Sequence, residues 1–415
     1  MVGLSAPASA SSPTADRVAV ARHNLHGKFL GVVRRHSKTG SAAPAASAPA
    51  LAYHGGPVQH SSAVYAIFWV PGLYFLPSGY QSTIAQYFTD VAHDSFKTSN
   101  VYASDTQYYD VTGTVRRFVS YSVTYPYHPG IADGDPLPAN GCPNYKLNDG
   151  STSKNCLTDA QIANEIKSVI AAGHLPTGLG TEYFLFTPPG LASCFSATAL
   201  GQGGCYDPLA FSGYCAYHSS IGSGSTAVLY ANQPYADLSG CSSGQSPNGN
   251  PADSTLNVVS HEHNETMTDP LGTGWWDNTG SENGDKCNFS FGAALGSTSH
   301  GQFNQLINGH GYWLQREWSN RTGGCVQRNT FPQPTASFTF APASPVHGAK
   351  VTFTSTSHDS DDATLTYRWV FPNGSVSTLA NPTYTFGTAG TKTVTLTVFD
   401  PHGDQARIAR TITVT

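Results

Sequence analysis

The sequence predicts an α+β domain followed by a small all-β sandwich. Between residues 51 and 328, segments with helical spacing mix with alternating strands and show no strict βαβ period. All eight cysteines fall in that stretch, between residues 142 and 325. Beyond residue 333 helical spacing disappears, and short alternating strands separated by turns take its place.

Residues 1–50 are low in complexity. "VGLSAPASA" reads like the tail of a signal peptide, with an A-x-A pattern ending at Ala10. "RHNLHGKFLGVVRRH" suits a short pro-region or a tether, and "SAAPAASAPALA" is an Ala/Pro/Ser linker. Order is expected to begin at "YHGGPVQHSSAVYAIFWVPG", where Ala63 to Val70 forms a buried strand. In "YQSTIAQYFTDVAHD", Ile84, Tyr87, Phe88 and Val91 share a helical face. "TVRRFVSYSVTY" alternates as a strand. "TDAQIANEIKSVIAAGH" reads as a helix capped by Thr158 and Gly173. "TEYFLFTPPG" and "TAVLYANQ" read as strands, and "GYWLQREWSN" reads as a last helix. "RNTFPQPTASFTF" then links to the tail strands "KVTFTSTS", "TLTYRWVF", "NPTYTF" and "KTVTLTVFD".

Composition narrows the function classes. A chain of 415 residues suggests two or three domains. Charged residues make up 11%, where soluble proteins average roughly 25%. The net charge is −5, and Arg34-Arg35 and Arg116-Arg117 are the only paired cations worth noting. Nucleic acid and anionic membranes are poor partners for such a chain. No apolar run is long enough to span a bilayer. Cys142, Cys156, Cys194, Cys205, Cys215, Cys241, Cys287 and Cys325 include no CxxC pair, which argues against a zinc ribbon. Four disulfides in an oxidising compartment are expected, with Cys142–Cys156 and Cys287–Cys325 closing local loops.

The chemistry concentrates in "VVSHEHNETMTDP", residues 258–270. A helix from about Ser254 to Asp269 is predicted, capped by Asp253 or Ser254 and stopped by Pro270. At a period of ~3.6, Val258, His261, Glu262, Glu265 and Asp269 share one side, with Leu256, Val259, His263 and Met267 opposite. His261 and Glu265 then point together with Glu262 beside them. An H-E-x-x-H zinc helix has this layout, and a glutamate oxygen can replace the second histidine. His263 reads as a packed histidine. In "WWDNTGSENGDKC", Glu282 and Asp285 are the nearest further acids; Glu282 is preferred as third ligand, and Asp285 as the outer partner of His261. Glu262 would deprotonate a zinc-bound water. The bland alternative is a solvated helix with exposed acids. A calcium site fits the carboxylates and not the histidine.

Residues 53–325 resemble the EXORDIUM-like, phosphate-induced protein family. The likeness rests on "YHGGPV", "YCAYH", "VVSHEHNETMTDP" and "ENGDKC", and on Tyr312, Gln315 and Trp318. It covers His261, Glu262, Glu265, Glu282, Asp285 and Cys287, and departs at His263-Asn264. It implies an extracellular protein with a zincin-like catalytic domain at 51–328. His218 in "YCAYH" is a further site candidate, or else a satisfied histidine beside a Cys215 disulfide. Tyr312 is either a transition-state stabiliser or a core aromatic. The tail, 333–415, resembles the PKD family of Ig-like modules through "DSDDATLTYRWVFPNG" and "NPTYTFGTAGTKTVTLTVFDPHG", with Trp369 and Tyr384 in its core and "FPNG" where "FGDG" is usual. It implies a spacer or adhesion module that contacts an extracellular polymer. The expected function is a secreted metallopeptidase with one Zn²⁺, hydrolysing protein or peptide substrates. The alternative is a non-catalytic protein that binds cell-wall material. A serine or cysteine hydrolase is disfavoured: GxSxG is absent and the cysteines read as paired.

Overall fold

The computed structural model describes residues 30–35, 49–198, 204–209, 213–328, 333–359, 365–400 and 405–415. The signal-like tail at 2–10 and the linker residues 36–48 lie outside these.

A seven-stranded mixed sheet organises the first domain. Its strands are β1 (Leu30–Arg34), β2 (Ser62–Trp69), β3 (Val123–Thr124), β4 (Ile131–Asp133), β5 (Thr181–Thr187), β6 (Tyr214–Ile221) and β7 (Val228–Pro234). The order is β1-β6-β7-β5-β2-β3, with β4 also on β2. Strands β7, β5 and β2 run parallel, while β1, β6 and β7 pair antiparallel. The parallel centre explains why β2 and β5 read as nearly unbroken apolar runs, since both faces are covered. Helices α1 (Tyr80–His93) and α3 (Ala252–Thr268) lie on the face lined by Ala66, Phe184 and Ala231. Helix α2 (Asp159–Gly173) lies on the face lined by Tyr65, Tyr183 and Tyr230. The domain is thus mixed α/β with three layers, more regular than an α+β reading of the sequence suggests.

Several expectations are corrected. Residues 30–34, within the segment suited to a pro-region or tether, form the edge strand of the main sheet, an element the sequence reading did not include; Val33 is fully buried there. "GYWLQREWSN" contains no helix. It supplies β9 (His310–Tyr312), the return strand of a hairpin with β8 (Gln305–Ile307), and β10 (Glu317–Ser319), which pairs with β11 (Gly324–Val326). Asn308 and Gly309, at φ 49° and 85°, form the two-residue turn between β8 and β9. An Asn-Gly pair is the favoured sequence for that turn. "TVRRFVSYSVTY" splits into Val115–Phe118 and Val123–Thr124. The C-cap of α2 is His174 in the left-handed region at φ 49°, one residue beyond Gly173. Helix α3 begins at Ala252 behind Pro251, and Asp253 is inside the first turn. There its carboxylate accepts from Ser246 and from the backbone and side chain of Asn248, pinning the preceding loop.

Four disulfides close the domain: Cys142–Cys156, Cys194–Cys205, Cys215–Cys241 and Cys287–Cys325. The two pairs expected from sequence are among them. Unfolded, unreduced protein should therefore show no thiol on titration, and several reactive thiols would overturn the pairing.

The tail folds around its own core. Its strands are β12 (Phe338–Ala341), β13 (Lys350–Ser355), β14 (Thr366–Val370), β15 (Val376–Ser377), β16 (Thr383–Thr385), β17 (Gly390–Phe399) and β18 (Gln405–Val414). They form sheets of three and four strands. Trp369 is buried between them, with ring centroids 5.0 Å from Phe338 and 5.6 Å from Phe353. Tyr384 is half-buried and stacks on Phe371 at 4.3 Å. The "FPNG" departure is a tight turn: Gly374 has φ 82°, and its N–H donates to Phe371 O at 2.9 Å. Trp369→Ala should cost about 3–5 kcal/mol. Calorimetry should place that loss in the tail's own unfolding transition and leave the first domain's unchanged.

Candidate metal centre

Helix α3 is the centre of the domain, and all seventeen of its residues are buried. A solvated helix is thereby ruled out as the source of its polar residues. The side facing β6 and the loop after α3 carries His261, Glu262 and Glu265. The opposite side holds Leu256, Val259 and Met267 in the main core. His263 is there too, 3.1 Å from Tyr102 Oη and 3.0 Å from Ser62 Oγ. Burial pulls its pKa down to about 3, so it is neutral. This is the packed histidine expected from its position.

The other side gathers groups from three elements. His261 Nε2 lies 3.1 Å from Glu265 Oε1 and 3.8 Å from Asp285 Oδ1. From β6, His218 Nδ1 lies 3.1 Å from Glu262 Oε2 and 3.7 Å from Glu265 Oε2. His218 Nε2 is 3.7 Å from Glu282 Oε1. Glu265 therefore belongs to two donor sets, His261–Glu265–Asp285 and His218–Glu262–Glu265; within each set the ligand atoms lie within 4.8 Å of one another. Of the sequence-chosen acids, Asp285 joins His261 and Glu265, while Glu282 meets His218.

The loop reaches the helix because Gly284 has no side chain. A Cβ there would stand 3.0 Å from Glu265 Oε1 and from the His261 ring. The Asp285 N–H donates to Glu265 Oε1 at 2.8 Å, and Gln315 Nε2 donates to Gly284 O at 2.9 Å. The Cys287–Cys325 disulfide ties down the loop's far end.

Burial shapes the electrostatics. It pushes Glu262 well above the carboxylate range, reinforced by Glu265 and Asp285. Burial and Glu265 raise Asp285 to about 7, with His261 opposing. For His261, burial acts downward, but Glu265 and Asp285 outweigh it and the net shift is upward. Glu262 Oε1 and Glu265 Oε2 meet no hydrogen-bond donor among the described residues. Buried oxygens without donors, beside imidazoles, suit a cation. Two donors each about 2.0–2.1 Å from a tetrahedral zinc stand roughly 3.3 Å apart. The imidazole-to-carboxylate spacings of 3.1–3.8 Å in both sets lie near that separation. The side chains of His218, His261, Glu262, Glu265 and Glu282 are at most 1% exposed, while Asp285 is 20% exposed.

Three more buried acids surround the centre and escaped sequence reasoning. Glu182 on β5 lies beneath α3, accepts from Thr266 Oγ1 at 2.8 Å and is raised by burial. Its sign in the sequence is a lone carboxylate in the apolar run "TEYFLFT". Asp105 accepts from Asn283 at 2.9 Å, and Glu317 on β10 lies nearby; both are raised by burial. Tyr312 is on β9, and its hydroxyl donates to Asp90 Oδ2 at 2.5 Å.

The family match falls on the tail. Its two packed sheets make it an all-β sandwich. Residues 332–415 match the PKD domain family, so the chain carries a C-terminal PKD domain. The pre-pro-metalloprotease PrtV of Vibrio cholerae serotype O1 is 45% identical over 69 residues, 17% of this chain. The chain spans about 8% of the length of that relative. The PKD1 domain of the same metalloprotease is 41% identical to this chain, covering 20% of it and 96% of that domain, with TM-score 0.18. The PKD1 domain of Vibrio anguillarum Epp is 34% identical, covering 20% and 93%, with TM-score 0.18. Among the described residues no helix is long and apolar enough to cross a membrane.

Tyr312→Phe removes one of several donors to Asp90, which also accepts from Gln86, Asn308 and His310. The variant should lose about 1.5–3 kcal/mol of stability, as for a hydrogen bond to a charged group. Its metal content should match the unmutated protein; loss of metal would make Tyr312 part of the centre.

Proposed function

We propose that residues 51–328 form a secreted zinc-dependent hydrolase domain, of the EXORDIUM-like type with a zincin-like layout, that cleaves protein or peptide substrates. The observation that carries this reading is the pairing of His261 and Glu265 on one face of α3, closed by Asp285 and flanked by the His218–Glu262 pair. His261, Glu265 and Asp285 are the proposed ligand set, because Asp285 is the loop acid grouped with His261 and Glu265; it takes the role first given to Glu282. Zinc bound there would lower the pKa of a coordinated water and polarise a carbonyl. With a cation bound, Glu262 would be the base for the water proton, and His218 Nδ1, 3.1 Å away, orients its carboxylate. Glu282 holds the other side of the His218 ring. Four disulfides and the PKD domain support an extracellular setting, where the tail is a spacer or a contact to polymer.

One observation favours a second reading. Asp285 alone of the six side chains is more than 1% exposed. A metal held so deeply also suits a structural role in a non-catalytic, wall-binding protein.

Mutants separate these readings. His261→Ala should remove metal and activity together. Glu262→Gln should keep the metal while the rate falls by roughly 10²–10⁴, the contribution of a general base. Asp285→Asn should lower metal content more than Glu282→Gln; the reverse would make Glu282 the ligand. Unmutated protein supplied with zinc and found to hold none would sink the hydrolase reading. Metal retained without hydrolysis of any protein substrate would favour the structural role.

A further inference from the structure

The N-terminal strand β1 is laid along the side of the metal centre. It is the outermost strand of the main sheet and pairs antiparallel with β6, the strand that carries His218. The register sets Leu30 opposite His218, Val32 opposite Tyr217, Val33 opposite Ala216 and Arg34 opposite Tyr214, with irregular steps after Leu30 and Val33. The Val33 amide reaches the Glu262 carboxylate. The Val33 side chain fills a closed apolar pocket formed by Cys215, Ala216, Ala236, Cys241, Val258 and Phe289. Arg34 acts electrostatically on Asp285, and its carbonyl accepts from Asn288 Nδ2 at 3.1 Å. The Arg35 guanidinium donates to Asp207 O at 2.5 Å and lies over the Tyr206 ring at 5.4 Å. An extended segment thus runs past His218, Glu262 and Asp285, with a receptor for each of three successive residues.

We propose that the edge of β6 is a binding groove for an extended peptide, aliphatic at the position of Val33 and basic at the next two, and that residues 30–35 fill this groove in cis. The proposal names the substrate class of the hydrolase site and in that respect rests on that reading; the groove itself depends only on the sheet edge and its pocket. Adding a strand to a sheet edge gains affinity from main-chain hydrogen bonds and specificity from alternate side-chain pockets. Residues 36–48 join β1 to the body of the domain. A segment tethered by a short linker competes at an effective concentration of roughly millimolar. Free peptide at micromolar levels therefore loses to it. A cut within 36–48 ends the advantage without touching any residue of the groove.

The test uses the full chain with a specific protease recognition sequence inserted between Lys38 and Thr39. A fluorescent peptide of residues 28–36 is the probe, followed by anisotropy with zinc present and with zinc chelated. Uncut protein should bind the probe at least about 10-fold more weakly than cut, diluted protein, as loss of the tether predicts. A probe carrying Asp at the position of Val33 should bind cut protein at least about 10-fold more weakly than the natural probe. Uncut full chain with Val33→Asp should accept the natural probe as cut protein does. Equal binding before and after cutting would overturn the proposal. So would a failure of cut protein to take up the probe in large excess, or indifference to the charged probe. Probe binding that persists in chelator while no protein substrate is hydrolysed would retain the groove and reject the hydrolase.

Discussion

The domain depends on one electrostatic constraint: a helix buried on every side carries Glu262, Glu265 and His261 where water cannot solvate them. Moving an ion of that size out of water costs several kcal/mol even after relaxation. The surroundings answer it from three directions. Strand β6 supplies His218, the loop after α3 supplies Asp285 with its amide, and β1 supplies the Val33 amide. Glu182, Asp105 and Glu317 add further buried carboxylates and sharpen the demand for a counter-charge. Protons or a cation must meet it, and the imidazoles beside donor-free oxygens favour the cation.

Much of the remaining architecture keeps that arrangement rigid. The 282–287 loop is held against α3 by the absence of a side chain at Gly284, the Gln315 amide and the Cys287–Cys325 bridge. On the other side of the helix, Tyr87, Tyr102 and His263 form a hydrogen-bonded chain that ends on Ser62 of β2. Rotating the helix would break this chain and leave its donors and acceptors in an apolar core.

The readable part of the fold was the part governed by local spacing. Helices α1 and α2 and strands β2, β5 and β7 follow their periodicity to within a residue or two at most ends. The face shared by His261 and Glu265 follows from helix geometry alone. The contacts of His218 did not, because β6 meets α3 through the sheet, 44 residues apart in the chain. "LGVVR" read as part of a pro-region or tether and not as a strand, because an edge strand of five residues has no periodicity long enough to register beside low-complexity neighbours. The segment 311–320 misled for a different reason. Its apolar residues suit both a helix and two short strands, and the decisive Asn308-Gly309 turn precedes it. In the tail the alternation was plain, but β12 and β18 at its margins and the two-residue β15 were missed.

The pocket around Val33 has a wall that is covalent. Cys215 and Cys241, 26 residues apart, meet as a disulfide there, and Ala216 and Ala236 adjoin it. In a reducing compartment the two thiols would separate, and the loop between them would regain the freedom whose loss is worth about 3–4 kcal/mol. The groove is then not a property of the amino-acid sequence alone. It comes into being when the chain is oxidised, so the same polypeptide held among cellular thiols would lack the cavity that selects its aliphatic residue.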